Sequence, residues 1–426
     1  MASMLRGIRQ YSPLSKIGFD TMAFGGVPLS EAEAGEDNTG RFGLLVLTWQ
    51  CVMLPAIYYA SYDVAELTRS DIGSVYNIYL GICAMMFVGF GYLMAFLKDY
   101  GVGAVGFTML IACLGTQWGL VLEKTMGGFG MALSLKDLIN ANFATATVLI
   151  SFGGLIGKVS PTQIVCLTIL EMTFYCANKV FFLIDYLHVV DTGGTIIIHV
   201  FGAYFGIAAC ATLGPALHTE RNNTSYNSNI FSFVGTVFLW LFWPSFVASP
   251  HPVGSLMHGV ALVNTILALL SSTVVTFGLA PVLSGKKIPT AAIQNATLAG
   301  GVSIGATAHV SMGPFGATVI GMVAGAISCY GFCRAPSWTS KYDTAGINHL
   351  HGMPGVLGGL VSVVLPFLVK ETGADPWSQL VGLSGTLVAA VVTGGFTGLV
   401  LRALQSPAAA YSDASFWADV EVSKCV

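Results

Sequence analysis

Charge is what this sequence has least of. Of its 426 residues, 18 are Lys or Arg and 21 are Asp or Glu, 9% in all, against about 25% in an ordinary soluble chain. With 54% of residues hydrophobic, this composition reads as a polytopic membrane protein. The net charge of −3 and the thin spread of basic residues leave no electrostatic footprint for nucleic acid. Nine cysteines are scattered without a C-x-x-C or a Cys/His cluster at metal spacing, so they read as small buried hydrophobes. No nucleotide or cofactor motif is present, and no cofactor is expected. Residues 1–42 lack the apolar core of a signal peptide, so the first membrane segment is expected to be retained.

What is present is one apolar run after another. A membrane helix needs about 20 such residues, and twelve stretches qualify, at about 43–62, 78–97, 103–122, 138–157, 162–185, 193–214, 229–249, 256–281, 291–311, 314–333, 350–370 and 379–403. The loops between them leave no room for a soluble domain. With the N-terminus inside, thirteen Lys and Arg fall on the inner side, from Arg6 to Lys424, against Arg69, Lys124, Lys136 and Lys370 outside. That bias predicts that both termini are cytoplasmic. The same topology puts the glycosylation-like Asn222-Asn223-Thr224 inside, where it would stay unmodified.

Two stretches share the pattern D-T-x-G-x4-H-x6-G, one running from Asp191 through His199 to Gly206 and the other from Asp343 through His351 to Gly358. They open the sixth and eleventh segments. An offset of five reverses the direction of the second copy, which predicts an all-α fold of two inverted five-helix repeats, segments 2–6 and 7–11, with one extra helix at each end. The expected layout is a cytoplasmic tail over residues 1–42 and a transmembrane domain over 43–404. Its repeats lie at about 78–214 and 229–370, and a short cytoplasmic tail covers 405–426.

Eight helical residues rise about 12 Å into a hydrocarbon layer about 30 Å thick. Each histidine is therefore expected near the membrane centre, approached from opposite sides. An ionisable residue at that depth usually faces a cavity or a partner. A neutral imidazole offers one donor and one acceptor, which suits a proton-exchanging substrate; an interhelical hydrogen bond is the plainer alternative. Asp191 and Asp343 fit N-caps, with a part in shaping the approach of a cation as the other reading. The glycines, Gly300-Gly301 and Gly358-Gly359 among them, fit close helix packing, and Pro354 is placed to loosen the helix after His351.

At this point the residues resemble the Rhesus branch of the ammonium transporter/Rhesus glycoprotein family. The resemblance rests on Asp191–Gly206, Phe242-Trp243-Pro244-Ser245-Phe246, the stretch from Gln294 to Gly301, His349–Gly355, Phe87–Gly91 and Asn140-Ala141-Asn142-Phe143, in family order from about 78 to 370. It implies a homotrimer in the lipid bilayer of the plasma membrane, each subunit with its own narrow apolar pore and no enzymatic activity. His199 and His351 would be the paired pore histidines, with His349 outside the pair. Phe143 and Phe246 would form the outer gate, and Phe90 would line the vestibule. Ammonium would lose its proton at the entrance and cross as ammonia, with carbon dioxide or methylamine as further cargo.

Two departures from the family pattern bear on cation recruitment: Val247-Ala248-Ser249 follows Phe246, and Lys179 follows Asn178. Glu171 either pairs with Lys179 or serves helix packing. A competing reading is a non-conducting Rhesus-like scaffold in a heteromer, against which both histidines argue. A metal-dependent membrane enzyme would need histidine boxes that the eight histidines, including His188, His218, His251, His258 and His309, do not supply.

Overall fold

The computed structural model describes residues 31–128, 130–214, 223–285, 287–335, 341–369, 372–404, 412–418 and 420, with side chains from residue 39 onward. Most of the N-terminal tail, His218, the Asn222 acceptor and several basic residues of the topology count lie outside them.

Among the described residues, eleven helices are long and apolar enough to cross a membrane. In chain order, α1 is Glu31–Tyr58, α2 Ile72–Phe96, α3 Gly101–Met126, α4 Leu135–Leu155, α5 Pro161–Tyr186, α6 Thr195–Leu213, α7 Tyr226–Ala248 and α8 Leu256–Ser284. Two short helices follow, α9 at Thr290–Ala296 and α10 at Ala299–Ile304. Then come α11 at Gly313–Arg334, α12 at Asn348–Phe367 and α13 at Pro376–Ala403. A last turn, α14, is Asp413–Phe416.

Local chemistry sets several of these starts. Ser134 with Asp137, Ser160 with Gln163, and Ser225 with Ser228 form reciprocal capping boxes on α4, α5 and α7. Each satisfies backbone donors that the first helical turn leaves free. The start of α3 is capped from far away. The buried Asp413 carboxylate accepts from the N–H groups of Val102 and Gly103, both at 2.8 Å.

The ninth apolar stretch, expected as one helix over 291–311, is instead divided into α9, α10 and a tight turn of 3₁₀ helix at Gly305–Thr307. A side chain is inserted at the break: Ser272 Oγ donates to the Ala296 carbonyl at 2.7 Å and accepts from the Gly300 N–H at 3.2 Å, standing where the helix bond between these two residues would be. A Cβ on Gly300 would lie 2.2 Å from the Ala268 carbonyl oxygen, and one on Gly301 would lie 2.6 Å from the Trp243 indole nitrogen. Across the interface, a Cβ on Gly358 would meet the Ser303 carbonyl at 2.2 Å. The glycines let α8, α7 and α12 close on the broken segment from several sides, as small residues do where apolar helices associate.

The first turns of α6 pack on the part of α12 that follows Met353, while the first turns of α12 pack on the part of α6 that follows Phe201. This is the arrangement of two antiparallel helices crossing near their starts. It agrees with the reversed direction of the two motif copies.

Replacing Gly300 with valine should force α10 away from α8. We expect Gly300→Val to cost about 1–3 kcal/mol, the range for overpacking a close-packed interior, read as a lower thermal transition of the detergent-solubilised protein than that of the parent.

Candidate functional site

The D-T-x-G pattern has a structural explanation in both copies. Gly194 and Gly346 take φ of +73° and +75°, a left-handed conformation that favours glycine, and each lies five residues before its histidine. The aspartate three residues ahead turns its carboxylate onto the new helix. Asp191 Oδ2 accepts from the N–H groups of Ile196 at 2.8 Å and Ile197 at 2.7 Å. Asp343 accepts from Ile347 at 2.7 Å and Asn348 at 2.9 Å. Both bond groups that a helix start otherwise leaves unpaired.

Both helices then begin with a wide turn of π type, at Thr195–Val200 and at Asn348–Gly352; the His199 N–H reaches back five residues to the Gly194 carbonyl at 3.0 Å. Such turns are rare and often occur at functional sites. Two more lie at Ala84–Phe90 in α2 and Asn178–Tyr186 in α5.

These turns bring the two imidazoles together. His199 Nδ1 lies 3.1 Å from His351 Nδ1, with ring centroids 5.1 Å apart and planes within 10°, and both residues are buried. A hydrogen bond between two Nδ1 atoms needs one ring to carry its proton there and the other to present a lone pair, so the neutral pair is held in two different tautomers. Among the described residues, His199 Nε2 has no hydrogen-bond partner. Trp243 stacks on His199 at 5.6 Å and Phe90 on His351 at 6.3 Å, making a four-ring column. A cavity of about 20 Å³ adjoins His351 and Phe90, walled by Leu93, Met94, Leu149 and Ile150 among others, room for a molecule the size of water. Phe143 and Phe246 meet edge to face at 4.5 Å, both buried.

The remaining expected residues fall elsewhere. His349 turns away from the pair and stands edge-on to Phe332 at 5.1 Å. Lys179 pairs with Glu123 of α3 at 2.6 Å rather than with Glu171. Glu171 is wholly buried against Ser151 at 2.5 Å, and Ser151 lies 2.7 Å from the Gly202 carbonyl. A hydroxyl has one proton to give, so Glu171 fits there as the neutral acid, donating to Ser151, which donates to Gly202. Of its two readings, helix packing is the one observed. Val247 is buried too, against Gly193. Among the described residues, no three of His, Cys, Asp and Glu gather as a metal site.

Sequence reasoning missed the stacking role of Trp243, whose only signal was its place in the Phe242–Phe246 motif. It also missed buried Lys158, whose Nζ sits 2.8 Å from both Cys210 Sγ and the Lys341 carbonyl, tying the loop before α5 to the loop before α12.

A bundle of membrane-length helices around two buried, mutually bonded imidazoles defines a multi-pass α-helical membrane protein of the transport class. The sequence model of the Ammonium Transporter Family matches residues 57–406, and the chain belongs to that family. It is 38% identical over 372 residues to Ammonium transporter Rh type A of Bos taurus, a match spanning 84% of this chain and 86% of the relative. It is 39% identical over 377 residues to Ammonium transporter Rh type B of Sus scrofa, spanning 80% and 82%. The solved structure of Nitrosomonas europaea Rh50, a channel of the Rhesus protein family, superposes with a TM-score of 0.74 at 32% identity, covering 84% of this chain and 94% of that one. Saccharomyces cerevisiae Mep2 shares the fold, with a TM-score of 0.64 at 18% identity.

Burial lifts the Asp191 carboxyl to about 6, against the downward pull of the backbone N–H groups of Ile197, Ile196 and Thr195. A raised acid means that the folded chain holds the proton more tightly than the unfolded chain. Stability from this group therefore falls as pH rises from the ordinary value of 3.8 through about 6. Asp191→Asn should flatten the thermal-stability profile in that window, measured by scanning fluorimetry in detergent.

Proposed function

We propose that this chain is a facilitative ammonia channel, and that its His199–His351 pair forms the centre of the conducting path. The observation that carries the reading is the contact between two buried imidazoles at matched positions of the two motif copies, in a chain whose relatives are ammonium transporters. In an apolar passage a cation would lose its hydration without full replacement, at a cost of tens of kcal/mol for an unpaired ion in a low dielectric. A neutral molecule with one lone pair and three N–H groups avoids that cost. The unpartnered His199 Nε2 would accept from it or donate to it, according to which ring of the pair holds the shared proton.

In this reading Phe143 and Phe246 form the gate on the Asp191 side, Phe90 lines the path, and ammonium leaves its proton at the mouth. Asp191 and Asp343 act by fixing the helix starts that aim the histidines. Carbon dioxide and methylamine are further cargo to be tried. The working form is a homotrimer in the plasma membrane with both termini cytoplasmic, the Asp191 mouth facing out.

Two measurements test this. In stopped-flow pH recordings on proteoliposomes given an ammonium gradient, the protein should conduct well above empty liposomes. His199→Ala should reduce the flux by about fivefold, since one lost hydrogen bond is worth about 1 kcal/mol and about 1.4 kcal/mol in the barrier is tenfold in rate. Flux equal to that of empty liposomes would refute the reading. In the same assay Phe143→Ala or Phe246→Ala should change the ratio of ammonia to methylamine flux; unchanged ratios in both would leave the two rings as packing residues.

A further inference from the structure

At the end of the molecule that holds Asp191, polar groups from four separate chain segments meet. Thr192 Oγ1 lies 2.8 Å from His309 Nδ1 and 3.2 Å from His251 Nε2. The two rings are 5.3 Å apart and tilted by 34°. His309 Nε2 in turn lies 3.2 Å from the carbonyl oxygen of Thr372.

These contacts assign the protons. A carbonyl only accepts, so His309 carries its ring hydrogen on Nε2 and presents a lone pair at Nδ1. Thr192 therefore donates its hydroxyl proton to His309, and its oxygen accepts from Nε2–H of His251. All three bonds run in one direction, from His251 through Thr192 and His309 to Thr372. Nδ1 of His251 is left as a lone pair on a residue that is only partly buried. Such a chain is a route for proton transfer.

Its position matters as much as its order. Thr192 is next to Asp191, and His251 lies five residues beyond Phe246. Gly193, the next residue, donates its N–H to Gly305 at 2.9 Å and packs against Val247. The chain therefore borders the same end of the passage as the Phe143–Phe246 pair.

We propose that His251, Thr192 and His309 form the proton acceptor of this mouth, taking the proton that ammonium gives up before ammonia enters the passage. The proposal rests on the ammonia-channel reading above. In the step, one N–H bond of ammonium breaks with its electron pair left on ammonia, and the proton bonds to the lone pair of His251 Nδ1. The Nε2 proton of His251 passes to Thr192 Oγ1, whose own proton passes to His309 Nδ1. Ammonium and the neutral chain become ammonia and a chain carrying one positive charge, which ends on His309 with its Nε2–H against the Thr372 carbonyl. The reverse sequence returns the proton.

The surroundings keep the chain ready to accept. Burial, then the neighbouring His309 and His258, hold the His251 imidazole below its ordinary value, so it is neutral at neutral pH. His258 turns its Nδ1 to the Ala248 carbonyl at 3.0 Å. Of the acids on these segments, Asp191 Oδ2 accepts from the N–H groups of Ile196 and Ile197, and Asp375 accepts from that of Ser378 at 2.8 Å.

The test uses the full-length protein in proteoliposomes with an inward ammonium gradient, followed from about pH 6 to about 8 outside, the range in which histidine titrates. His251→Ala should lower the flux by about tenfold, less than the ~10² of a positioned general base because water substitutes in part, and should change the pH profile. Adding imidazole outside should restore the rate of His251→Ala without affecting the parent. Thr192→Val should slow the flux likewise, and Thr192→Ser, which keeps the hydroxyl, should recover what valine loses. A parent that conducts while His251→Ala matches it in rate and pH profile would overturn the relay alone. So would a slow His251→Ala that imidazole leaves slow, because a merely structural histidine is not rescued from solution. A parent no faster than empty liposomes would overturn the channel reading beneath it.

Discussion

Within hydrocarbon a backbone polar group has no water to turn to, and it must be met by another group of the protein. The two histidine helices start where this constraint is hardest to satisfy, because a helix start leaves up to four N–H groups unpaired. The carboxylates of Asp191 and Asp343 meet two of them in each case. Only with that anchor can the wide first turns hold His199 and His351 at 3.1 Å. The imidazole contact, the ring column around it and the antiparallel crossing of α6 and α12 all depend on two short bonded starts.

The same constraint governs where charge is allowed. Lys179 and Lys124 are paired with Glu123 and Asp137 at 2.6 Å and 2.8 Å, and Glu171 sits behind α6 in a chain of hydrogen bonds that suits its neutral form. The walls around the histidine pair are mainly aromatic and aliphatic, with the amide of Asn295 among them. An environment of this kind opposes ions through their lost hydration and leaves small neutral molecules little hindered. It needs no charged selectivity element of its own.

How far the sequence revealed this depended on the range of each interaction. The membrane class, the helix positions and the two histidine motifs were legible because apolar length and the D-T-x-G pattern are local signals. The division between α9 and α10 was not, since Gly300 and Gly301 read equally well as packing residues within one straight helix; the hydroxyl that interrupts it comes from Ser272, 28 residues before Gly300 and on α8. The partner of Lys179 was missed for the same reason. Glu123 lies 56 residues away on α3, whereas Glu171 is near only in sequence. Thr192, His251 and His309 come from three different connections, and nothing in their spacing announces that one hydroxyl joins them.

The cap on α3 has a consequence for the order in which the chain is made. Val102 and Gly103 are bonded by a carboxylate 311 and 310 residues later. At a synthesis rate of about 5–20 residues per second, α3 exists for some tens of seconds before Asp413 has been translated. During that interval its first N–H groups have to be hydrated or held by lipid headgroups, which keeps this helix start at the membrane surface while the rest of the bundle is threaded in. The arrival of Asp413 then exchanges water for a carboxylate, making the closure of α14 on α3 one of the last events in assembly.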